Sequence, residues 1–143
     1  MIYLGLDYGS KRIGLAVSDE TALIADPEGI LTYDSPEKLW SALLKAIGDT
    51  RANAIVVGIP KRTTGEDGVE AKKVFKFVEE LKSKTTLPVA TWDERFTTVE
   101  ANRLMREVDL TIKQKKEKRD AIAAKIMLQS YLDFKRIGNS CTN

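Results

Sequence analysis

The sequence predicts an α/β protein, a mixed five-stranded sheet with helices on both faces, and two patterns carry that expectation. Its opening alternates apolar and polar residues through a glycine-marked bend, the pattern of an antiparallel hairpin. Further on, short continuous apolar runs alternate with segments of helical period, as in β-α-β units whose strands lie parallel. A meander followed by such units gives strands of both senses in one sheet.

Ile2, Leu4 and Leu6 alternate with Tyr3, Gly5 and Asp7, the period of a strand. Gly9 and Ser10 punctuate a turn, and Ile13, Leu15 and Val17 resume the period. Asp7 therefore closes the first strand, and the bend beyond it carries Lys11 and Arg12. Nearby glycines leave room for a large group to approach the backbone. Gly29–Tyr33 reads as a third strand. Ser35 and Pro36 supply an N-cap and a first-turn proline, after which Leu39, Trp40, Leu43, Leu44 and Ile47 recur at helical spacing up to Gly48. Ala54–Gly58 is a continuous apolar run, typical of a strand buried on both faces. The loop Gly58–Gly68 is rich in glycine and hydroxyls and carries Lys61 and Arg62. Val74, Phe75, Val78 and Leu81 mark a second helix, and Leu87–Trp92 a strand that tolerates Pro88 near its start. Thr97 with Glu100 is a capping box opening a third helix. Lys113–Arg119 reads as a basic connector, followed by a last helix from about Asp120 to Phe134 and a frayed tail over 136–143.

With 143 residues, 43% of them hydrophobic and 31% charged, the chain is expected to form one soluble domain over residues 1–143. No apolar run reaches the length of a membrane span and no signal peptide precedes the first strand, so the cytoplasm is the expected compartment. Histidine is absent, which excludes Ser-His and Cys-His nucleophilic sites, His-based cleavage of RNA and ordinary zinc sites. The single cysteine, Cys141, excludes a disulfide framework. Catalysis must rest on carboxylates, lysines, hydroxyls or a hard metal ion. A net charge of +2 identifies no partner by itself; the placement of the cations matters more.

In sheets of this kind ligands lie beyond the carboxyl ends of the parallel strands. Asp7, the loop after Gly58 and the pair Asp93-Glu94 all fall at such ends. The last helix adds Asp120, one turn before Ala123 and Ala124 in an apolar stripe continued by Met127, Tyr131 and Phe134. An acid on that face is costly to bury unless paired or metal-bound. The plainer roles are a turn hydrogen bond for Asp7 and a favourable helix dipole for Asp120. Clustered carboxylates without His or Cys favour Mg²⁺ or Mn²⁺, ions that act in pairs about 3.5–4 Å apart in phosphodiester chemistry. Lys11, Arg12, Lys61, Arg62 and Arg95 would then hold phosphates. Lys115, Lys116, Lys118 and Arg119 join them as candidates, although such a run also suits a solvated surface. Adjacent strand residues face opposite sides, so one of Asp93 and Glu94 is expected to bind metal, not both.

Four stretches resemble the YqgF (RuvX) family of Holliday-junction-resolvase-like or pre-16S rRNA nucleases. They are Gly5 to Gly14, Gly58-Ile59-Pro60 with its Gly65 loop, Asp93 to Ala101, and Arg119 to Asp133. The third is similar to the family's Asp-Glu-Arg-Leu-Thr-Thr signature, with Phe96 in place of leucine; the loop after Pro60 lacks the commoner Leu-Asn-Met wording. Neither departure touches an acid. The resemblance implies an RNase H-like fold and a bacterial cytoplasmic nuclease of ribosomal RNA 5′-end maturation. Asp7, Glu94 (or its neighbour Asp93) and Asp120 would be its catalytic acids, with Glu94 favoured. Nucleic acid is the implied partner, precursor rRNA or branched DNA, with the ribosome beyond it and either a monomer or a homodimer as the working form. Two other functions remain to be weighed. Asp-x-Gly followed by a cation also resembles the phosphate hairpin of actin-like ATPases and sugar kinases, but those need two lobes. A non-catalytic ribosome or transcription accessory would use the basic surface alone.

Overall fold

The computed structural model describes residues 1–9, 11–59, 67–94 and 112–141, with the backbone alone for 67–70, 112–119 and 138–141. Strands β1 (Tyr3–Tyr8), β2 (Arg12–Ser18), β3 (Ala25–Thr32), β4 (Ala54–Ile59) and β5 (Val89–Asp93) form one sheet in the order β3-β2-β1-β4-β5. β2 runs antiparallel to both β1 and β3, whereas β1, β4 and β5 are parallel to one another. The expected mixed five-stranded sheet is therefore present. Helices α1 (Pro36–Thr50) and α2 (Asp67–Lys84) cover one face and α3 (Ile112–Cys141) the other.

Period-two alternation divides the core. Leu4, Leu6, Ile55 and Val57 pack with Leu39 and Leu43 of α1 and Val74 and Leu81 of α2. Tyr3, Ala54 and Val56 pack with Ala124, Met127 and Leu128 of α3. All six residues of β4 are buried, as its unbroken apolar run requires.

Two boundaries before the last helix depart from the sequence expectation. Ser35 caps α1 as expected, its hydroxyl accepting from the Lys38 N–H at 3.2 Å. The helix runs past Gly48, however, and Arg51 (φ 57°, ψ 35°) takes the left-handed cap that glycine usually fills, its N–H donating to the Gly48 carbonyl at 3.2 Å. Strand β3 starts at Ala25 rather than Gly29. Asp26, Pro27 and Glu28 do not look like strand residues, but β3 lies at the sheet's edge, where proline and charge are tolerated.

The largest difference concerns α3. Lys113–Arg119 is helix, not a connector, and the helix continues beyond Phe134 to Cys141. Lysine, glutamine, glutamate and arginine are strong helix formers, so the run propagates without an apolar stripe to announce it. Asp120 consequently stands in the third turn and is no first-turn cap. The buried stripe is also rotated: Ala121, Ala124, Met127, Leu128 and Leu132 face the sheet, while Phe134 stays 64% exposed. The Thr97–Glu100 capping box lies outside the described residues. Among the described residues no helix is long and apolar enough to cross a membrane.

Glycines admit α3 to the sheet. A Cβ on Gly14 would stand 2.0 Å from the Asp120 carbonyl oxygen and 2.6 Å from its carbon, and one on Gly5 2.9 Å from Leu128 Cβ. The large group that approaches these glycines is thus the chain's own helix. Backbone cannot yield as a side-chain tip does, so Gly14→Ala is expected to lower unfolding stability by about 1–3 kcal/mol, the usual cost of overpacking. Gly48→Ala, with open space around it and helical backbone, should instead gain about 0.5–1 kcal/mol. Urea denaturation of the two variants beside the parent checks both signs.

Candidate active site

Several strand ends meet at one edge of the sheet. Asp7 is in register with Gly14 of β2 and with Gly58 of β4, and Gly58 with Trp92 of β5. Residues in register share a face, so Asp7 lies between two glycines on the side that α3 covers. Leu6 and Tyr8, its neighbours in sequence, turn to the opposite side and join the α1/α2 core. Gly58 lacks the Cβ that would stand 2.9 Å from Glu94 Oε1 and 3.0 Å from Met127 Cγ. Through that gap the Glu94 carboxyl reaches Asp7, and the two are hydrogen-bonded.

Asp93 precedes Glu94 and sits in register with Ile59, whose side chain belongs to the α1/α2 core. Of the two acids it is Glu94 that meets Asp7. Glu94 is the first residue beyond β5 and reaches Asp7 past Gly58.

The pair is electrostatically loaded. Burial raises the Asp7 pKa, the hydrogen bond with Glu94 lowers it, and the Asp120 charge raises it. Glu94 is pushed up to about 9, first by burial, then by its hydrogen bond to Asp7 and by the charges of Asp7 and Asp93. The hydrogen bond lowers the Asp7 pKa and raises that of Glu94, so Glu94 is the donor and Asp7 the acceptor.

Asp120 is placed differently. Arg12 Nε donates to its Oδ2 at 2.8 Å, with the side chains 24% and 35% exposed, and the ion pair ties β2 to α3. Its charge still reaches Asp7. The expected trio of converging acids is therefore a hydrogen-bonded pair with a third acid held by an arginine. Among the described residues no three metal-capable side chains are drawn together as a ready site.

The candidate phosphate-binding cations are spread more widely. Lys11 is exposed at the β1–β2 bend, and Arg12 is engaged with Asp120. Lys61, Arg62 and Arg95 lie outside the described residues. Lys115, Lys116, Lys118 and Arg119 fall on the opening turns of α3, where backbone alone is described. Sequence reading missed Gly14 and Gly58 as parts of the site. The signal was present for the first: counting hairpin pairs outward from the bend places Gly14 opposite Asp7. It also missed Tyr33, whose hydroxyl donates to the Gly9 carbonyl at 2.8 Å and anchors the bend from β3's far end.

A model of the RuvX family, described as Holliday junction resolvase, matches residues 1–134. A Desulforudis audaxviator protein named "Putative pre-16S rRNA nuclease" is 36% identical over 140 residues, 98% of this chain and 99% of its own length. A Clostridioides difficile protein of the same name is 41% identical over 132 residues, covering 92% and 94%. Among solved structures, Thermus thermophilus RuvC in complex with a Holliday junction substrate shares the fold at a TM-score of 0.58 and 15% identity over 94% of this chain and 96% of that one. The fowlpox virus resolvase bound to Holliday junction DNA does so at 0.52 and 13%, over 93% and 97%. These two neighbours establish the fold, RNase H-like as the resemblance implied. With a family match over nearly the whole chain and relatives more than a third identical along almost their full length, the chain belongs to the RuvX (YqgF) family of nucleases.

Proposed function

We propose that the chain is a divalent-cation-dependent endonuclease that hydrolyses phosphodiester bonds in structured nucleic acid, with the 5′ region of precursor 16S rRNA as its cytoplasmic substrate. The observation that carries this reading is the Asp7–Glu94 pair, two carboxyls pressed together at the carboxyl end of parallel strands where they must share a proton. A protein that only bound nucleic acid would gain nothing from that arrangement. The choice of rRNA follows the names of full-length relatives. A four-way DNA junction is the second reading, favoured by the family's description; it requires a homodimer, since two strands must be cut symmetrically.

The donor set fits a hard cation, being oxygen only, crowded and short of neutralising charge. Mg²⁺ or Mn²⁺ would be held by Asp7 and Glu94, with Asp120 joining once Arg12 lets go of it. When bound, such an ion supplies an activated water and charge stabilisation for the leaving oxygen. The protein's own groups have separate tasks. Glu94, whose pKa is raised in the metal-free site, would hold the cation as a carboxylate. Arg12, released from Asp120, offers a planar fork that suits phosphate, beside Lys11 at the same bend. Lys61, Arg62, Arg95 and the basic turns of α3 would extend that grip along the backbone. Hydrolysis would leave a 5′-phosphate and a 3′-hydroxyl.

Cleavage of a panel of precursor rRNA 5′ leader, single-stranded RNA and a DNA four-way junction tests the reading. Asp7→Asn should reduce cleavage on the order of a hundredfold or more, the scale set by losing one group that acts on the transition state. The reading is lost if the parent cuts nothing with either ion and binds RNA no differently from the variant.

A second expectation concerns pH. Glu94 has a folded-state pKa above its ordinary 4.5, so the folded protein holds a proton that the unfolded chain releases. The stabilisation is complete below the ordinary value and is lost as pH rises toward about 9. Metal-free protein should therefore melt at progressively lower temperature between those limits, and Glu94→Gln, which mimics the protonated acid, should flatten the trend. Added Mn²⁺ should raise the melting temperature of the parent and not of Asp7→Asn.

A further inference from the structure

On the face of the sheet away from α3, a cavity of about 400 Å³ opens between the end of β1, the segment after β3, and helices α1 and α2. This lies at the low end of the roughly 300–1,000 Å³ of small-molecule sites. Four rings wall it. Phe77 is buried, with its ring 4.8 Å from Tyr8 and stacked at 5.1 Å and 16° on Trp40, and Tyr33 stands 5.7 Å from Tyr8. Tyr8, Tyr33 and Trp40 stay partly exposed, so the wall offers apolar ring surface that a flat partner covers well. The rim is charged. Lys73 and Lys76 stand on α2, with Asp34 and Glu80 beside them, all exposed. Outside the lining, Lys84 Nζ stands 5.2 Å over the Trp40 ring.

The position ties this cavity to the acid pair. Tyr8 directly follows Asp7, and consecutive strand residues point to opposite faces. One sheet end thus carries the acids on one side and the aromatic cavity on the other. Tyr33, through its bond to the Gly9 carbonyl, joins the cavity wall to the bend that carries Lys11 and Arg12.

We propose that this cavity receives an unpaired base of the RNA substrate strand, close to the bond that Asp7 and Glu94 face, with Lys73 and Lys76 on the adjoining phosphates. The substrate strand is taken from the nuclease reading, on which the inference rests. A base matches each feature of the cavity: flat faces for the rings, exocyclic amino groups for the acceptors Asp34 and Glu80, and a backbone charge for the lysines. A purely apolar ligand would make no use of the charged rim. Stacked bases of an RNA helix cannot enter, so occupancy selects substrates with an unpaired nucleotide beside the cut.

The test uses the full chain carrying Asp7→Asn, which binds without cutting, and Trp92→Phe, which leaves Trp40 as the sole tryptophan of the two in the sequence. A short single-stranded RNA is titrated against an abasic strand of equal length and charge. RNA should quench Trp40 fluorescence to saturation and bind about tenfold more tightly than the abasic strand, as one stacked base provides. By anisotropy of labelled RNA, Trp40→Leu should fall to the abasic level and Trp40→Phe should keep most of the preference. Lys76→Glu should weaken RNA and abasic strand alike. Equal binding of both strands with no quenching overturns the proposal. So does a free nucleoside monophosphate that quenches as well as the oligonucleotide at equal concentration, which would make the cavity a mononucleotide site. Cleavage separates this inference from the reading beneath it. Quenching by RNA in a protein that cuts nothing would keep the cavity and remove the nuclease. Unaltered kcat and KM in Trp40→Leu would remove the cavity and keep the nuclease.

Discussion

Among the described glycines, the tightest constraint is the contact of the α3 backbone with Gly14 of β2. The Asp120 carbonyl occupies the space in which any other residue at 14 would place its Cβ. Leu128 lies over Gly5 and Met127 over Gly58 in the same manner, so the helix is set against the sheet on three strands, each lacking a side chain at the point of contact. That depth fixes the neighbouring chemistry. It brings Asp120 within reach of Arg12 and places the Met127 side chain beside the gap through which Glu94 meets Asp7. An extra methyl group at Gly14 would lift the helix and disturb all of these distances together, because a packed interior transmits strain.

Such a contact would be a poor place for acids unless their charge were managed, and the protein does so twice over. A proton shared by Asp7 and Glu94 removes one charge, and Arg12 offsets Asp120. Both devices stand where a divalent cation's charge would serve. On the proposed reading a cation held there would stand in for both, with Glu94 as a carboxylate and Arg12 parted from Asp120. The guanidinium would then be available at the bend where a phosphate would approach, and one arginine would serve both metal loading and substrate grip. Leaving an acid buried without either partner would be strongly destabilising.

The parts of this arrangement legible in the sequence were those written in a short period. Alternation through β1 and β2, the apolar run of β4, and Ser35-Pro36 before an amphipathic segment each predict one element, and together a mixed sheet. The same alternation makes Asp93 and Glu94 mutually exclusive; Asp93 is in register with Ile59, and Glu94, just beyond β5, is the acid that meets Asp7. What escaped had no period to show. The opening turns of α3 are helix by propensity alone, with charged residues throughout, and so resembled a connector. The rotation of α3 was misjudged because apolar residues occur on more than one side of it. Leu128 and Leu132 face the sheet, whereas Ala123 and Phe134 do not share their burial. The pairing of Arg12 with Asp120 joins residues 108 apart in sequence, and nothing local to either announces the other.

The acid pair and the aromatic cavity both depend on the parity of one strand. In β1 the order Leu6, Asp7, Tyr8 sends an apolar side chain, an acid and an aromatic ring to alternating faces, the acid toward α3 and the others toward α1 and α2. A slip of one residue in the pairing of β1 would move Asp7 into the apolar core and bring Tyr8 to Glu94, dismantling the acid pair and the cavity wall at once. Burial resists that slip from both sides, since Leu4 and Leu6 are fully enclosed and Gly5 accepts Leu128 where no other side chain fits. The β1 register that protects the core is thus the register that keeps the acids on one side of the sheet's end and the aromatic cavity on the other.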